Sequence, residues 1–333
     1  MQIKTPEFWR KRNLISFALL PLSLLYFIGY SLVNFFTKTT KISKKVICVG
    51  NLIAGGSGKT PTAIALGKIL NEIILEKKIA NNFAFAYLSR GYMGDGSKFL
   101  LLSKDGGLRA DQVGDEPLLL IDTAPTFVAQ NRLFGAKQIE IIKKFQLIIL
   151  DDGMQNNSLY RDFIILVIDG NIGFGNEFLI PAGPMRESVK QGLKKADLIV
   201  LIGEASEKLL KKLEGKKIAK AKISVVNLQQ FLEKKLLAFC GLAYPQKFFS
   251  LLKKEGLEVL DTYSFADHYS YKISDLKDLV KIAAEKNLQL ITTKKDWIKF
   301  PKNFQEKIPY LDIELEFENK DLIKSELRKI YEF

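Results

Sequence analysis

The chain is 333 residues long and 47% hydrophobic, enough for one large domain or two ordinary ones with cores of their own, which excludes a disordered polymer. Its 50 basic and 37 acidic side chains leave a formal charge of +13, which invites an acidic partner. Lysines are strewn along the whole chain, however, and no helix-turn-helix, zinc-finger or RNA-binding pattern accompanies them, so no nucleic-acid partner is expected.

The first predicted element is apolar. Leu14 to Phe36, "LISFALLPLSLLYFIGYSLVNFF", carries no charge, and at about 1.5 Å per residue one helix of that length reaches across a hydrocarbon layer of about 30 Å. Arg10, Lys11 and Arg12 precede it while Lys38, Lys41, Lys44 and Lys45 follow it, so the positive charges favour neither orientation. The run is long for a secretory signal peptide, and no small-residue cleavage site follows it convincingly. Pro21 permits a kink, so residues 1–40 are read as a membrane-anchoring helix that either spans or lies in the interface, with a buried core helix as the alternative.

Behind a basic linker, short β-branched runs recur: "VICVG" (46–50), "FAFAYLS" (83–89), "TFVAQ" (126–130), "LIILDD" (147–152), "IILVID" (164–169) and "DLIVLIG" (197–203). Continuous apolar runs separated by helical segments such as "TAIALGKILNEIILEKK" describe parallel strands covered on both faces. The expected fold is therefore α/β, a doubly wound, mostly parallel sheet of the P-loop NTPase kind over 41–228. The lysine-rich stretch "LLKKLEGKKIAKAK" (209–222) reads as solvated helix. A second series, "LLAFCGLA", "PQKFFSLLKKEG", "LEVLDTYSF", "SDLKDLVKIAAEKN" and "LQLITT", repeats the strand-helix alternation and predicts a smaller α/β domain over 229–333. Cys48 and Cys240 fall in apolar strand runs, as small core residues in a reducing compartment and not as a disulfide or metal pair.

"NLIAGGSGKTPTAIAL" (51–66) follows a strand and opens a helix, the setting that makes "GGSGKT" a phosphate-binding loop. Ile53, Ala54, Gly55, Gly56, Ser57, Gly58, Lys59 and Thr60 compose it. The glycines let backbone N–H groups face phosphate oxygens, the helix N-terminus adds partial positive charge, Lys59 reaches the β and γ phosphates, and the Thr60 hydroxyl ligates Mg2+. Ile53 stands where the usual pattern has glycine. Such a loop also needs a carboxylate at the end of another buried strand, and "FQLIILDDGMQN" offers Asp151 and Asp152, whose adjacent charges are costly unless a cation offsets them. Which of the two meets metal stays open, and Asp169 of "LVIDG" is a less favoured candidate.

A GTP switch competes, because "LITTKKD" (290–296) is near the guanine-reading Asn-Lys-x-Asp turn and "LLIDTAPT" (119–126) near a switch Asp-x-x-Gly, although Thr293 replaces the Asn and Pro125 the Gly. A module that binds nucleotide without turnover is a third class. Five polar clusters weigh against both: "LSRGYMG" (88–94), "QVGDEP" (112–117), "PAGPMRES" (181–188), "CGLAYPQKFF" (240–249) and "SFADHYSY" (264–271). In this order, with the loop, the double aspartate and the apolar N-terminal segment, the chain resembles the tetraacyldisaccharide 4'-kinases from about Phe8 to about Asp296.

That resemblance implies transfer of a phosphoryl group from ATP, with Mg2+, to the 4'-hydroxyl of an acylated glucosamine disaccharide 1-phosphate, giving lipid IVA. It implies a seat at the cytoplasmic face of the bacterial inner membrane, an anionic surface that the basic residues beside the anchor favour, and a monomer is expected. A kinase for another lipid-linked sugar is the near alternative. By the same resemblance Asp115 of "GDEP" accepts the hydroxyl proton and His268 of "ADHY", the chain's only histidine, works beside it. Arg186 and Glu187 of "GPMRES" fall to charge stabilisation and the Mg2+ shell, and Arg90 to the substrate; Arg161 also stands beside a motif. Asn156 departs from the family, which has histidine after "DDGMQ". Because base and histidine belong to different domains, domain closure is expected to assemble the site.

Overall fold

The computed structural model describes residues 6–76, 85–91, 99–103 and 109–331. Its strands are β1 (Lys45–Gly50), β2 (Phe85–Ser89), β3 (Leu100–Leu102), β4 (Thr126–Val128), β5 (Leu147–Asp151), β6 (Phe163–Asp169), β7 (Leu198–Ile202), β8 (Ile218–Val225), β9 (Lys235–Cys240), β10 (Glu258–Ser264), β11 (Gln289–Thr293), β12 (Tyr310–Leu311) and β13 (Ile313–Phe317). Its helices are α1 (Leu14–Ala18), α2 (Leu20–Phe36), α3 (Lys59–Glu76), α4 (Ala110–Val113), α5 (Asp115–Leu120), α6 (Arg132–Ile141), α7 (Val189–Lys195), α8 (Glu207–Lys212), α9 (Pro245–Lys254), α10 (Ile273–Glu285), α11 (Lys294–Trp297), α12 (Lys302–Gln305) and α13 (Lys320–Tyr331). Phe83 and Ala84 of the expected second strand, Lys77 and Lys78 of the helix before it, and 92–94 of "LSRGYMG" lie outside the described residues.

Among the described residues, a nine-stranded sheet runs β13-β8-β7-β6-β1-β5-β2-β4-β3, parallel throughout except for its two antiparallel edges, β13 and β3. Side-chain alternation explains its double coat. Val46 and Cys48 enter the core on one face with Ala136, Ile139 and Leu193 of α6 and α7, while Ile47 and Val49 enter the other with Ala63, Leu66, Ile69, Leu70 and Ile73 of α3. Strand β1 is central, and the chain proceeds from it toward β2 on one side while β6 lies on the other. The loop after β1 thus opens where strand order diverges, the place where open α/β sheets hold ligands.

The smaller parallel sheet runs β10-β9-β11-β12. Its expected limits of 229–333 are too wide. Residues 313–331 return to the large sheet, where β13 pairs with β8, Ile313 opposite Val225, and Lys320 and Lys324 of α13 reach Glu72 and Glu76 of α3 at 2.6 Å. The small domain is an insertion between β8 and β13. The 209–222 stretch also differs from its reading as helix: helix ends at Lys212, and from Ile218 the chain is strand, with Ala219 and Ala221 buried and Lys220 and Lys222 exposed.

The apolar run 14–36 is not one helix. It breaks at Leu19 between α1 and α2, with Pro21 in the first turn of α2, where its missing N–H leaves no bond unmade. Among the described residues no helix is long and apolar enough to cross a membrane, so the spanning form of the expected anchor is not supported. Instead α2 is tied to the domain: Ser23 Oγ donates to Leu179 O at 2.7 Å and accepts from Ala182 N at 3.1 Å, and Tyr26 OH donates to Arg186 O at 3.0 Å. Leu24, Leu25, Leu32, Val33, Phe35 and Phe36 remain exposed.

Candidate active site

The glycine loop is braced from two sides. Ala54 N donates to Pro184 O at 2.8 Å, and Ile53 pairs with Met185 as an isolated β-bridge. Ile53 is buried and has no left-handed backbone, which is why a β-branched residue fits where the usual pattern has glycine. From inside, Asn51 Nδ2 donates to Ile53 O at 2.8 Å and to Ser57 Oγ at 2.6 Å. Gly58 has φ 88°, and a Cβ there would stand 2.5 Å from Ile202 Cδ1, so only glycine fits. Lys59 and Thr60 begin α3.

The two aspartates take opposite characters. Thr60 Oγ1 donates to Asp151 Oδ2 at 2.9 Å, while Asp151 Oδ1 is buried with no hydrogen-bond partner. Burial, joined by the nearby charge of Glu116, pushes the Asp151 carboxyl up to about 7 against the pull of Lys59. Burial would raise Asp152 too, but Lys59 at 3.7 Å, Arg186 at 3.1 Å and Arg132 hold it at about 2. Asp152 is the anion of an ion-pair cluster; Asp151 is the carboxylate with an oxygen to give. No three His, Cys, Asp or Glu side chains among the described residues form a metal cage. A magnesium ion on phosphates takes most of its shell from water and phosphate oxygens, with one or two protein oxygens, and the Thr60 hydroxyl and Asp151 Oδ1 fit that donor set.

Other predicted residues separate. Arg186 and the exposed Arg90 line one cleft of about 1840 Å³ together with the glycine loop, Asp151, Asp152, Glu116, His268, and Tyr26 and Tyr30 of α2. Glu187 does not border it: its carboxylate is buried between Lys195 at 2.6 Å and Gln155 Nε2 at 3.2 Å, far better placed to fix the 184–188 loop than to meet a metal. Arg161 Nη1 donates to the carbonyls of Gly153, Met154 and Asn156, clamping the turn after β5. The Asn156 side chain accepts from Ser158 N at 3.0 Å within that turn.

The inserted domain supplies the opposite wall. His268, at φ 55°, follows β10, and its Nδ1 lies 2.9 Å from Asp115 Oδ2 at the start of α5. Asp115 is buried behind the histidine and does not border the cleft. Burial would raise its carboxyl, yet the His268 hydrogen bond and the charges of Lys299 and Lys295 bring it below the usual range. Lys295 Nζ stands 3.3 Å from His268 Nε2 and 3.6 Å from Glu116. Burial disfavours its charge, but Glu116, Asp267 and Asp115 outweigh that and raise its pKa. A charged Lys295 makes Nε2 an acceptor and assigns the ring proton to Nδ1, which donates to Asp115. "LITTKKD" therefore reads no base: Thr293 caps α11, and Asp296 accepts from Gly241 N at 2.9 Å and holds Lys299 at 2.8 Å.

Sequence reading missed Glu116, Lys295, Lys299 and Lys247. Glu116 lies inside "QVGDEP", Lys247 inside "CGLAYPQKFF" and Lys295 inside "LITTKKD", yet nothing in those stretches marks the individual side chain, and Lys299 carried no signal that separates it from the rest of 50 basic residues. Lys247 Nζ reaches Gly56 O at 2.8 Å and Asp169 at 2.7 Å.

The family model for tetraacyldisaccharide-1-P 4'-kinase matches residues 15–332. Tetraacyldisaccharide 4'-kinases of Rickettsia akari (strain Hartford) and Rickettsia felis (strain ATCC VR-1525 / URRWXCal2) are 37% and 36% identical, each covering 97% of this chain and 96% of the relative. A crystal structure of LpxK from Aquifex aeolicus in complex with ATP is 27% identical, covers 96% of this chain and 100% of that one, and superposes with a TM-score of 0.73.

Proposed function

The chain belongs to the tetraacyldisaccharide-1-P 4'-kinase family and is an ATP-dependent 4'-kinase of a lipid A precursor, and we propose that its P-loop half holds the donor while Asp115 and His268 activate the acceptor. Loop N–H groups and Lys59 bind the donor's phosphates. Thr60 and Asp151 would hold Mg2+, which when bound would supply positive charge to the phosphate oxygens. The disaccharide enters between α2 and the inserted domain. Its 4'-hydroxyl gives its proton to the His268–Asp115 pair as its oxygen bonds to the γ phosphorus, and the bond to the β-phosphate oxygen breaks to release ADP. Arg186, at the cleft wall, offsets charge on the transferring group, and Arg90 at the rim receives the acceptor.

One observation carries this reading: the 2.9 Å contact between His268 and Asp115 joins the two domains directly behind the wall of the cleft that His268 lines together with Lys59 and Thr60. The exposed apolar side of α2 supports a peripheral seat at the cytoplasmic face of the inner membrane, where the substrate keeps its acyl chains in lipid. The experiment is incubation with γ-labelled ATP, Mg2+ and detergent-dispersed disaccharide 1-phosphate. Label enters lipid with wild type and falls by about 10²–10⁴-fold in Asp115→Ala and His268→Ala. Label released only as free phosphate, or lipid labelling indifferent to both substitutions, rejects the assignment.

A further inference from the structure

Strands β5 and β6 flank β1, and the end of each carries a carboxylate that holds a lysine over the glycine loop. On the β5 side Asp152 faces Lys59 at 3.7 Å. On the β6 side Asp169 faces Lys247 at 2.7 Å. Lys59 belongs to the loop itself, whereas Lys247 comes from α9 of the inserted domain, and its Nζ also donates to the Gly56 carbonyl at 2.8 Å. A Cβ on Gly56 would meet nothing within 4 Å, so the space before that peptide is open, and Lys247 lines the same cleft as Lys59 and Thr60. Asp169 is itself fixed: Oδ1 accepts from the N–H groups of Asn171 at 3.0 Å and Ile172 at 3.2 Å, leaving Oδ2 to the lysine. The Tyr244 ring, packed over Gly55, lies 5.3 Å from the same ammonium and guides its approach.

Phosphate oxygens entering the loop's N–H cradle come within reach of an ammonium already bonded to a loop carbonyl, and an anionic oxygen is the stronger acceptor. We infer that Lys247 is a second phosphate-binding lysine, carried by the inserted domain, which exchanges the Gly56 carbonyl for a β- or γ-phosphate oxygen of the donor while Asp169 keeps it aimed at the loop. This rests on the P-loop reading of 53–60. Its consequence is that one nucleotide bonds both halves of the molecule, Lys59 from one and Lys247 from the other, so donor binding draws the acceptor wall toward the phosphates.

Titration calorimetry of the full chain with AMP, ADP and a non-hydrolysable ATP analogue, in Mg2+, tests it with Lys247→Ala, Lys247→Arg and Lys59→Ala. The charge-assisted bond predicts that Lys247→Ala binds the triphosphate analogue about 10–100-fold more weakly and AMP as wild type does, with most of the loss restored by arginine. Unchanged triphosphate affinity, an equal penalty for AMP, or a loss that arginine does not relieve overturns the inference. If Lys59→Ala binds all three nucleotides as wild type does, the P-loop reading itself falls and takes this one with it.

Discussion

Asp151 and Asp152 are neighbours in sequence with opposite electrostatics. The sequence supplies both as candidates for metal, and only tertiary placement separates them, because Lys59, Arg186 and Arg132 all converge on Asp152. Asp151, raised to about 7, holds its proton in the folded state across a pH range where the unfolded chain has lost it. The unfolded value lies near ~3.9, so metal-free protein loses stability as pH rises from about 4 to about 7, by at most about 1.4 kcal/mol per pH unit. Asp151→Asn removes that loss. In Mg2+-free buffer the melting temperature of the variant is expected to gain on wild type by several degrees between pH 5 and pH 8; a difference that does not vary with pH defeats the assignment. Of the candidate site, the glycine loop and Asp151 stood out because each lies in a short motif with its own chemistry, whereas Asp115 and His268 were picked out by the family resemblance alone. Glu187 was assigned to the metal shell by neighbourhood alone, and a buried pairing with Lys195 is a fact of the fold that no local pattern carries.

At the scale of elements, uniform apolarity concealed a division in the N-terminal segment. Its hydrophobic run gives no sign of which side faces protein, and the informative residues are the polar ones: Ser16 and Ser23 are buried, the latter bonded to Leu179 and Ala182. The break before Pro21 then leaves a helix with one bonded side and one bare apolar side, the pattern of a helix lying in the headgroup region. Replacing Leu24, Leu25 and Phe35 with serine should cut co-sedimentation with anionic vesicles by about tenfold or more while leaving nucleotide affinity unchanged, since about 25 cal/mol per Å² of apolar surface is lost from the lipid contact. Equal sedimentation of variant and wild type rules the lipid-facing role out. Strand β8 failed for the converse reason. Its alternation Ala219, Lys220, Ala221, Lys222 has the period of a strand, but alanine is a weak hydrophobe and the lysines dominate the composition.

The whole molecule was legible as two α/β series, and β1, β2, β4, β5, β6 and β7 followed from continuous apolar segments, whereas the short edge strand β3 was not read. What could not be read was partnership: β12 and β13 are nearly adjacent in the chain yet join different sheets, and nothing local tells a five-residue strand whose edge it will complete. The passage into and out of the insertion is narrow. Val225 pairs with Ile313, and Val226 N donates to Asp312 O at 2.9 Å. A shortened chain in which a two-residue hairpin turn replaces 227–311 should therefore fold as a cooperative unit, retain nucleotide affinity weakened by the loss of Lys247, and lack all transfer to lipid. A product that is molten by near-ultraviolet circular dichroism would show that the large sheet needs its insert to fold. The side-by-side ends at Val225 and Ile313 give the molecule something akin to a socket. A different lobe plugged in at those two residues would meet the same glycine loop, with Arg90, Asp115 and α2 staying behind as the fixed part of the acceptor's surroundings.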